Sequence, residues 1–173
     1  MPVIESSFSL LTVWATIGYL LGSIPFGILI AKIMKLGNLR EIGSGNIGAT
    51  NVLRTGNKTA AALTLLLDAS KGATAFSVAW AFTGAQDATQ LASLTAMIGH
   101  CYPVWLKFKG GKGVATFLGL MLALNIFVGT ACCLAWLVGA GISRISSVGA
   151  LVAAATSTFF ISLFDPTKAI ALS

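Results

Sequence analysis

Charged residues are scarce in this sequence. Only 9% of its 173 residues are charged, whereas 56% are hydrophobic and the mean hydropathy is +0.89. Because a soluble globular domain carries about 25% charged residues, this chain lacks the polar surface that a water-soluble fold needs. The length suffices for one compact unit, and we therefore expect residues 1–173 to form a single membrane-embedded domain.

Cysteine and histidine are also scarce, which limits metal and redox chemistry. The cysteines are Cys101, Cys132 and Cys133, an odd number without the spacing of a zinc site or a disulfide framework. We interpret them as small buried apolar side chains. His100 is the single histidine, and no carboxylate–histidine group typical of a metal site accompanies it. The sequence therefore predicts neither a metal nor another cofactor.

Long apolar runs fill most of the chain and predict an all-α fold, a polytopic transmembrane helix bundle. A membrane-spanning helix needs about 20 mostly apolar residues, and five runs approach or exceed that length. They are predicted at residues 8–34, 59–82, 91–105, 114–138 and 147–164. The first run has no basic segment before it and is too long for a signal-peptide core, so we interpret it as a retained span. The stretch 165–173 is predicted to begin another helix.

Basic residues are concentrated in two polar loops between these runs. The first loop, Gly37–Lys58, carries Arg40, Arg54 and Lys58, the second loop, Lys107–Gly113, carries three lysines, and the turn between them carries none. Because cytoplasmic loops are rich in Lys and Arg, both loops are predicted to be cytoplasmic and the N-terminus external. Arg144 then falls on the outer side as an exception. Membrane orientation and anionic headgroups or substrates explain the net charge of +6 better than nucleic-acid binding does.

The first loop combines glycines with hydrogen-bonding side chains. Its formal G-x-G-x-x-G match lacks the flanking strand that a dinucleotide site requires, so we reject that interpretation. Glycines nonetheless let backbone N–H groups approach an anion, and an arginine offers a planar fork that suits phosphate. These features favour an anion site over a flexible solvated connector. The candidate residues are Ser44, Gly45, Asn46, Thr50, Asn51 and Arg54.

The second loop leads its glycines directly into an apolar helix. Its core is Gly110, Gly111, Lys112 and Gly113. The N–H groups at the start of that helix and the lysine would form an anion receptor. It is not a Walker A motif, because Leu106 stands where the first glycine is needed. His100 precedes the loop by a few residues, which predicts that it orients a hydroxyl or accepts a proton.

Two ionisable residues lie inside the second apolar run. Asp68 and Lys71 are three positions apart, so they share one face of a helix. Ionisable groups within a span are costly and usually face a polar interior. Either a buried ion pair that holds helices together or a supporting role at the site would account for them.

These segments together resemble the bacterial PlsY family of acyl-phosphate:glycerol-3-phosphate acyltransferases. The resemblance covers nearly the whole chain, in the same order, at residues 22–27, 44–54, 68–72, 99–103 and 108–116. It implies a bundle of about seven helices in the bacterial inner membrane, with the active site facing the cytoplasm. Family members end with a further helix and a motif that this sequence stops short of, so the chain is expected to be C-terminally incomplete relative to the family.

The resemblance also implies an activity and a set of residues. The expected reaction transfers a fatty acyl group from acyl phosphate to the 1-hydroxyl of glycerol 3-phosphate, giving lysophosphatidic acid and phosphate, the first acylation of phospholipid synthesis. The expected catalytic residues are Ser44, Arg54, His100 and Lys112. The expected substrate-binding residues are Gly45, Asn46, Thr50, Asn51, Lys71, Gly110, Gly111, Gly113 and Thr116, with Asp68 in support. The expected partners are the two substrates and membrane lipids, without nucleic acid, and a monomer is predicted.

Three questions stay open at the level of the sequence. The proton of the attacking hydroxyl could go to His100 or to a phosphate oxygen of a substrate. A small transporter of an anionic phosphorylated solute would use similar basic loops, and a non-catalytic membrane scaffold is a further alternative. Because both glycine-rich loops are predicted on one face, a surface site is favoured over a transport site, which usually lies near the membrane midplane.

Overall fold

A computed structural model describes residues 4–164, which form eight α-helices and one short 3₁₀ helix and contain no strand. The helices are α1 (Phe8–Gly22), α2 (Phe26–Ile33), α3 (Ala49–Leu53), α4 (Lys58–Thr83), α5 (Gln86–Cys101), the 3₁₀ helix (Val104–Leu106), α6 (Val114–Leu124), α7 (Ile126–Ser143) and α8 (Ser146–Phe164). The predicted all-α bundle is thus confirmed. The helix predicted to begin at residues 165–173 lies outside the described residues.

Within residues 4–164, three segments are long and apolar enough to cross a membrane, and the first is interrupted by a proline. They are Phe8–Ile33, Ile126–Ser143 and Ser146–Phe164. Within the first, α1 ends at Gly22 and α2 begins after Pro25, because proline lacks the N–H that the helical ladder requires. The continuous first span that the sequence predicts is therefore two helices joined by Ser23, Ile24 and Pro25.

The predicted fourth span, 114–138, is wrong, because the chain turns back on itself in the middle of that run. Asn125 ends α6 and caps α7, since its side-chain oxygen accepts hydrogen bonds from the amides of Phe127 (2.9 Å) and Val128 (3.3 Å). Gly129 then lies so close to Leu122 that a Cβ atom on it would be 2.4 Å from the Leu122 backbone. The run therefore forms two helices that pack on each other.

Close contacts at small residues join the helices. A Cβ atom at Gly22 would lie 2.0 Å from the carbonyl oxygen of Ala96, which brings α1 against α5. In the same way, Gly119 on α6 lies against the backbone of Ala69 on α4. Small residues let helix backbones approach closely where lipid supplies no hydrophobic driving force between them. These contacts fix α1 against α5 and α6 against α4. Because α4 also packs on α5, the polar residues of α4, α5 and α6 can meet.

The two ends of the bundle differ in composition. At one end, Asp87 in the first turn of α5 accepts hydrogen bonds from Glu5 and Ser6, so the N-terminal segment lies there. At the opposite end the first loop contacts the second loop through Arg40 and the turn between α7 and α8 through Thr50, whose hydroxyl lies 3.4 Å from that of Ser146. We call this second end the loop end.

Arg144 lies at the loop end, in the turn that contains Ser146. Its predicted place on the outer side is therefore wrong, and the reason is the reversal at Asn125, which returns α7 to the face from which α6 started. With Arg144 at the loop end, no exposed lysine or arginine of residues 4–164 departs from the charge asymmetry that the positive-inside rule describes. All the exposed lysines and arginines among residues 4–164 lie at the loop end: Lys32, Lys35, Arg40, Arg54, Lys58, Lys107, Lys109, Lys112 and Arg144.

Candidate active site

Asn51 is the centre of the first loop. Its side chain is 2% exposed, and its amide group donates to the carbonyls of Leu39 (2.9 Å) and Asn46 (2.8 Å). Its carbonyl oxygen accepts from the amide of Ser44 at 3.1 Å and lies 3.4 Å from the guanidinium of Arg54. Asn51 was predicted to bind substrate, but its polar atoms are engaged within the loop. The structure places it as the residue that shapes the loop.

Around this centre, several predicted residues present polar groups to the outside. Ser44, Thr50 and Arg54 are exposed, and Asn46 is half-buried. The side-chain oxygen of Asn46 accepts from the amide of Gly48 (2.9 Å), which leaves its amide group to donate outward. An arginine has five donors, and Arg54 uses one of them, in the long contact with Asn51. Arg54 and Asn46 therefore retain donors for an anion, whereas the hydroxyl of Ser44 donates to Asn51 (3.3 Å) and that of Thr50 to Ser146 (3.4 Å).

The glycines of the second loop fold back onto the end of α5. The amide of Gly110 donates to the carbonyl of Cys101 and that of Gly111 to the carbonyl of His100, both at 3.0 Å. These two amides, which the sequence assigned to an anion receptor, are therefore used within the protein. Gly113, in the left-handed region at φ +75°, precedes α6, which has no side-chain cap. The first amides of α6 thus remain available to an anion, beside the exposed Lys112.

Two aromatic side chains fix the second loop against α1. The indole N–H of Trp105 donates to the carbonyl and hydroxyl oxygens of Ser23, at 2.9 and 3.0 Å. The hydroxyl of Tyr19 donates to the carbonyl of Tyr102 at 2.9 Å. Ser23 can accept these bonds because the helix is interrupted at Pro25. The break in the first span therefore serves as an anchoring point for the second loop.

A buried polar network lies below the second loop. Lys71 is 4% exposed, and its ammonium group lies 2.8 Å from the carboxylate of Asp68, 2.9 Å from Nδ1 of His100 and 2.9 Å from the carbonyl of Ile24. An ammonium group has three N–H donors, and each has an acceptor here. Lys71 was predicted to bind substrate, but its position makes it a structural cation that joins α4, α5 and the break after α1.

The contact with Lys71 fixes the tautomer of His100. Because an ammonium group can only donate, Nδ1 of His100 accepts and the proton of the neutral ring is on Nε2. Nε2 lies directly against Gly111, where a Cβ atom would be only 2.1 Å away. His100 is 4% exposed, so it supports the second loop from below. Its N–H is oriented toward the loop, and its accepting nitrogen is directed away from it.

Thr116 also has a different environment from the one that the sequence predicts. It is fully buried, and its hydroxyl donates to the carbonyl of Asp68 at 3.0 Å. The residue therefore joins α6 to α4 at the buried network. The contact with substrate that the sequence predicts for Thr116 stays a prediction.

Arg40 is a site residue that sequence reasoning missed, since it was counted only as a charge. Its guanidinium donates to the carbonyl of Gly45 in the first loop at 3.1 Å and to the carbonyl of Lys109 in the second loop. The two predicted anion loops are thus adjacent and joined by one side chain. The only available signal was a second arginine four residues before Ser44. Residues 4–164 contain no group of three His, Cys, Asp or Glu side chains that could hold a metal.

Comparisons with known proteins found relatives in both sequence and fold. A family profile described as glycerol-3-phosphate acyltransferase matches residues 12–173. A protein named glycerol-3-phosphate acyltransferase from Ruegeria pomeroyi is 65% identical over 95% of this chain and 81% of its own length, and one from Roseobacter denitrificans is 68% identical over 87% and 75%. The crystal structure of PlsY, an integral membrane glycerol 3-phosphate acyltransferase, in its glycerol 3-phosphate form superposes with a TM-score of 0.82 at 37% identity. The superposed region covers 90% of this chain and 78% of the PlsY chain.

Proposed function

The chain belongs to the glycerol-3-phosphate acyltransferase family, and from this premise we propose that it transfers a fatty acyl group from acyl phosphate to the 1-hydroxyl of glycerol 3-phosphate. The products are lysophosphatidic acid and inorganic phosphate, in the first acylation of phospholipid synthesis. The observation that carries the proposal is the pair of cation-bearing loops at one end of the bundle, joined through Arg40. Two adjacent anion sites suit a reaction between two phosphorylated substrates.

Each loop would hold one phosphate. In the first loop, the exposed guanidinium of Arg54 and the amide group of Asn46 have donors for the phosphate of glycerol 3-phosphate. The exposed Ser44 lies beside them and would have to exchange its hydroxyl contact with Asn51 (3.3 Å) for one with the phosphate. In the second loop, Lys112 and the first amides of α6 suit the phosphate of the acyl donor. A helix N-terminus favours anions through its unpaired N–H groups and its dipole. The acyl chain would then lie among the apolar residues that face lipid.

The chemistry requires positioning more than bond activation, because a mixed anhydride is already reactive. The 1-hydroxyl oxygen forms a bond to the carbonyl carbon, the bond from that carbon to the phosphate oxygen breaks, and phosphate leaves. Holding the two substrates together can contribute up to about 7–11 kcal/mol of barrier reduction in ideal cases. Lys112 and the α6 amides would stabilise the negative charge that develops on the carbonyl oxygen and the leaving phosphate.

The hydroxyl proton is best accepted by a phosphate oxygen. His100 carries its proton on the nitrogen nearest the loop, and its other nitrogen already accepts from Lys71. A base must have its accepting atom within hydrogen-bond reach of the proton that it takes. Inorganic phosphate is a product, so transfer of the proton to it leaves the protein unchanged after each turnover.

We place the site at the cytoplasmic surface of a bacterial inner membrane. The exposed lysines and arginines of residues 4–164 all lie at the loop end, and cytoplasmic loops carry the excess of such residues. A cytoplasmic site would also meet a phosphorylated, water-soluble acceptor. A monomer is proposed, because one copy of the chain contains both loops.

The test uses the purified full-length protein in detergent or nanodiscs, with labelled glycerol 3-phosphate. With palmitoyl phosphate as donor we expect lysophosphatidic acid and inorganic phosphate in equal amounts. With palmitoyl-coenzyme A we expect no product. Product from the thioester alone would contradict the proposed donor. Uptake of glycerol 3-phosphate into sealed vesicles in the absence of any acyl donor would instead favour a transporter.

A further inference from the structure

Arg40 contacts both loops and makes no ion pair among the described residues. One nitrogen of its guanidinium donates to the Gly45 carbonyl at 3.1 Å, and the other terminal nitrogen donates to the Lys109 carbonyl, 69 positions later in the sequence. Both acceptors are backbone atoms, so neither depends on a side-chain rotamer. A side chain that holds two backbone carbonyls from separate loops restricts the distance between those loops.

The two carbonyls belong to the segments that would bind the phosphates. Gly45 lies between Ser44 and Asn46. Its backbone also packs closely on that of Arg40, since a Cβ atom on Gly45 would be 3.1 Å from the Arg40 carbonyl oxygen. The Lys109 carbonyl belongs to the same peptide group as the Gly110 amide, which donates to Cys101 at the end of α5. A shift of this peptide would move the second loop relative to α5.

We propose that Arg40 is a positioning residue that sets the separation of the two phosphate sites. This inference rests on the proposed function, because the separation matters for a reaction between two substrates. The planar guanidinium has donors that diverge from one centre and can reach two carbonyls. Arg40 uses two different nitrogens for these contacts, whereas a lysine has all its donors on one nitrogen and would have to bring both carbonyls to that single point. The geometry, and not the charge alone, is therefore what position 40 requires.

Kinetics distinguish positioning from direct binding of substrate. A misplacement of about 1 Å between reactants can lower the rate about 100-fold, so Arg40→Gln is expected to lower kcat at least tenfold and to change each KM less than threefold. Arg40→Lys is expected to behave like Arg40→Gln. Lys107→Gln, which removes the same charge from an exposed position of the second loop, is the matched control and should retain kcat within a factor of two. Full kcat in Arg40→Lys would overturn the proposal.

Hydrogen exchange tests the contact without any turnover. Arg40→Gln and Arg40→Lys are expected to increase amide exchange severalfold in the peptide 105–114, whose sequence neither variant changes, whereas Lys107→Gln should not increase it at Gly110 and Gly111. Unchanged exchange in this peptide would overturn the proposal whatever the activity. Hydrogen exchange needs no substrate, so it can be measured on a protein that shows no activity. Absence of acyltransferase activity would contradict the proposed function, whereas the exchange measurement would still test the contacts of Arg40.

Discussion

Lys71 and Arg54 show that the partners of a cation decide whether it can bind substrate. Lys71 uses its three donors on Asp68, His100 and Ile24 and is buried. Arg54 is exposed and makes one long contact. The residue types in both motifs were predictable from sequence, because glycine and cation patterns indicate anion binding. The roles of Lys71, Asn51 and Arg40 were not, because their partners come from segments distant in the sequence.

Replacement of Arg54 by alanine should weaken the binding of glycerol 3-phosphate. Hydrogen bonds to charged groups contribute about 1.5–3 kcal/mol, so KM for glycerol 3-phosphate is expected to increase about 10- to 100-fold. KM for acyl phosphate should change much less. Steady-state kinetics with each substrate varied in turn provide the measurement. Lys35→Gln is the control, and an equal increase for both substrates would contradict the assignment of Arg54 to the acceptor.

Replacement of His100 by asparagine tests whether the imidazole is the base. Asparagine retains an acceptor near the position of Nδ1 for Lys71 and removes the ring nitrogen beside Gly111. Loss of a general base typically lowers the rate about 10²- to 10⁴-fold. We expect kcat to fall less than about tenfold and its pH dependence to keep its shape. A larger fall together with a changed pH profile would show that His100 accepts the proton.

At the level of the helices, two interruptions of apolar runs position the site. An average of hydropathy along the chain does not reveal either of them. Pro25 and Asn125 lie within runs that are apolar on both sides, so an average over 20 residues passes over them. The break at Pro25 frees the Ile24 carbonyl for Lys71 and Ser23 for Trp105. The break at Asn125 returns α7 to the loop end. The available signal for the second break was Asn125, a residue type that caps helices, followed four residues later by Gly129.

Replacement of Gly119 by alanine should disturb the contact between α4 and α6. The new methyl group would lie 2.0 Å from the carbonyl oxygen of Ala69, next to Asp68. Overpacking of this kind typically costs about 1–3 kcal/mol, so thermal unfolding in detergent should begin at a lower temperature, with reduced activity. Gly141→Ala is the control, because nothing lies within 4 Å of its Cβ position. Equal melting temperatures for the two variants would contradict the packing described for α4 and α6.

At the scale of the whole molecule, the arrangement of helices brings distant motifs to one surface. The class of fold, the helices at 59–82 and 147–164 and the two loops were predictable, because composition and apolar length carry that information. The adjacency of the loops was not, since it depends on how α1, α4, α5 and α6 pack. Their shared position at the loop end, with the α7–α8 turn beside the first loop, is what the proposed reaction between two phosphorylated substrates requires.

Side-specific labelling tests this shared position most directly. Single cysteines would replace Gln86, Lys58 and Lys107, all exposed, in a protein whose native cysteines are changed to alanine. In right-side-out membrane vesicles, we expect a membrane-impermeant maleimide to label position 86 only, and positions 58 and 107 only after permeabilisation. Labelling of positions 58 and 107 from opposite sides would place the two loops on different membrane surfaces and contradict the account.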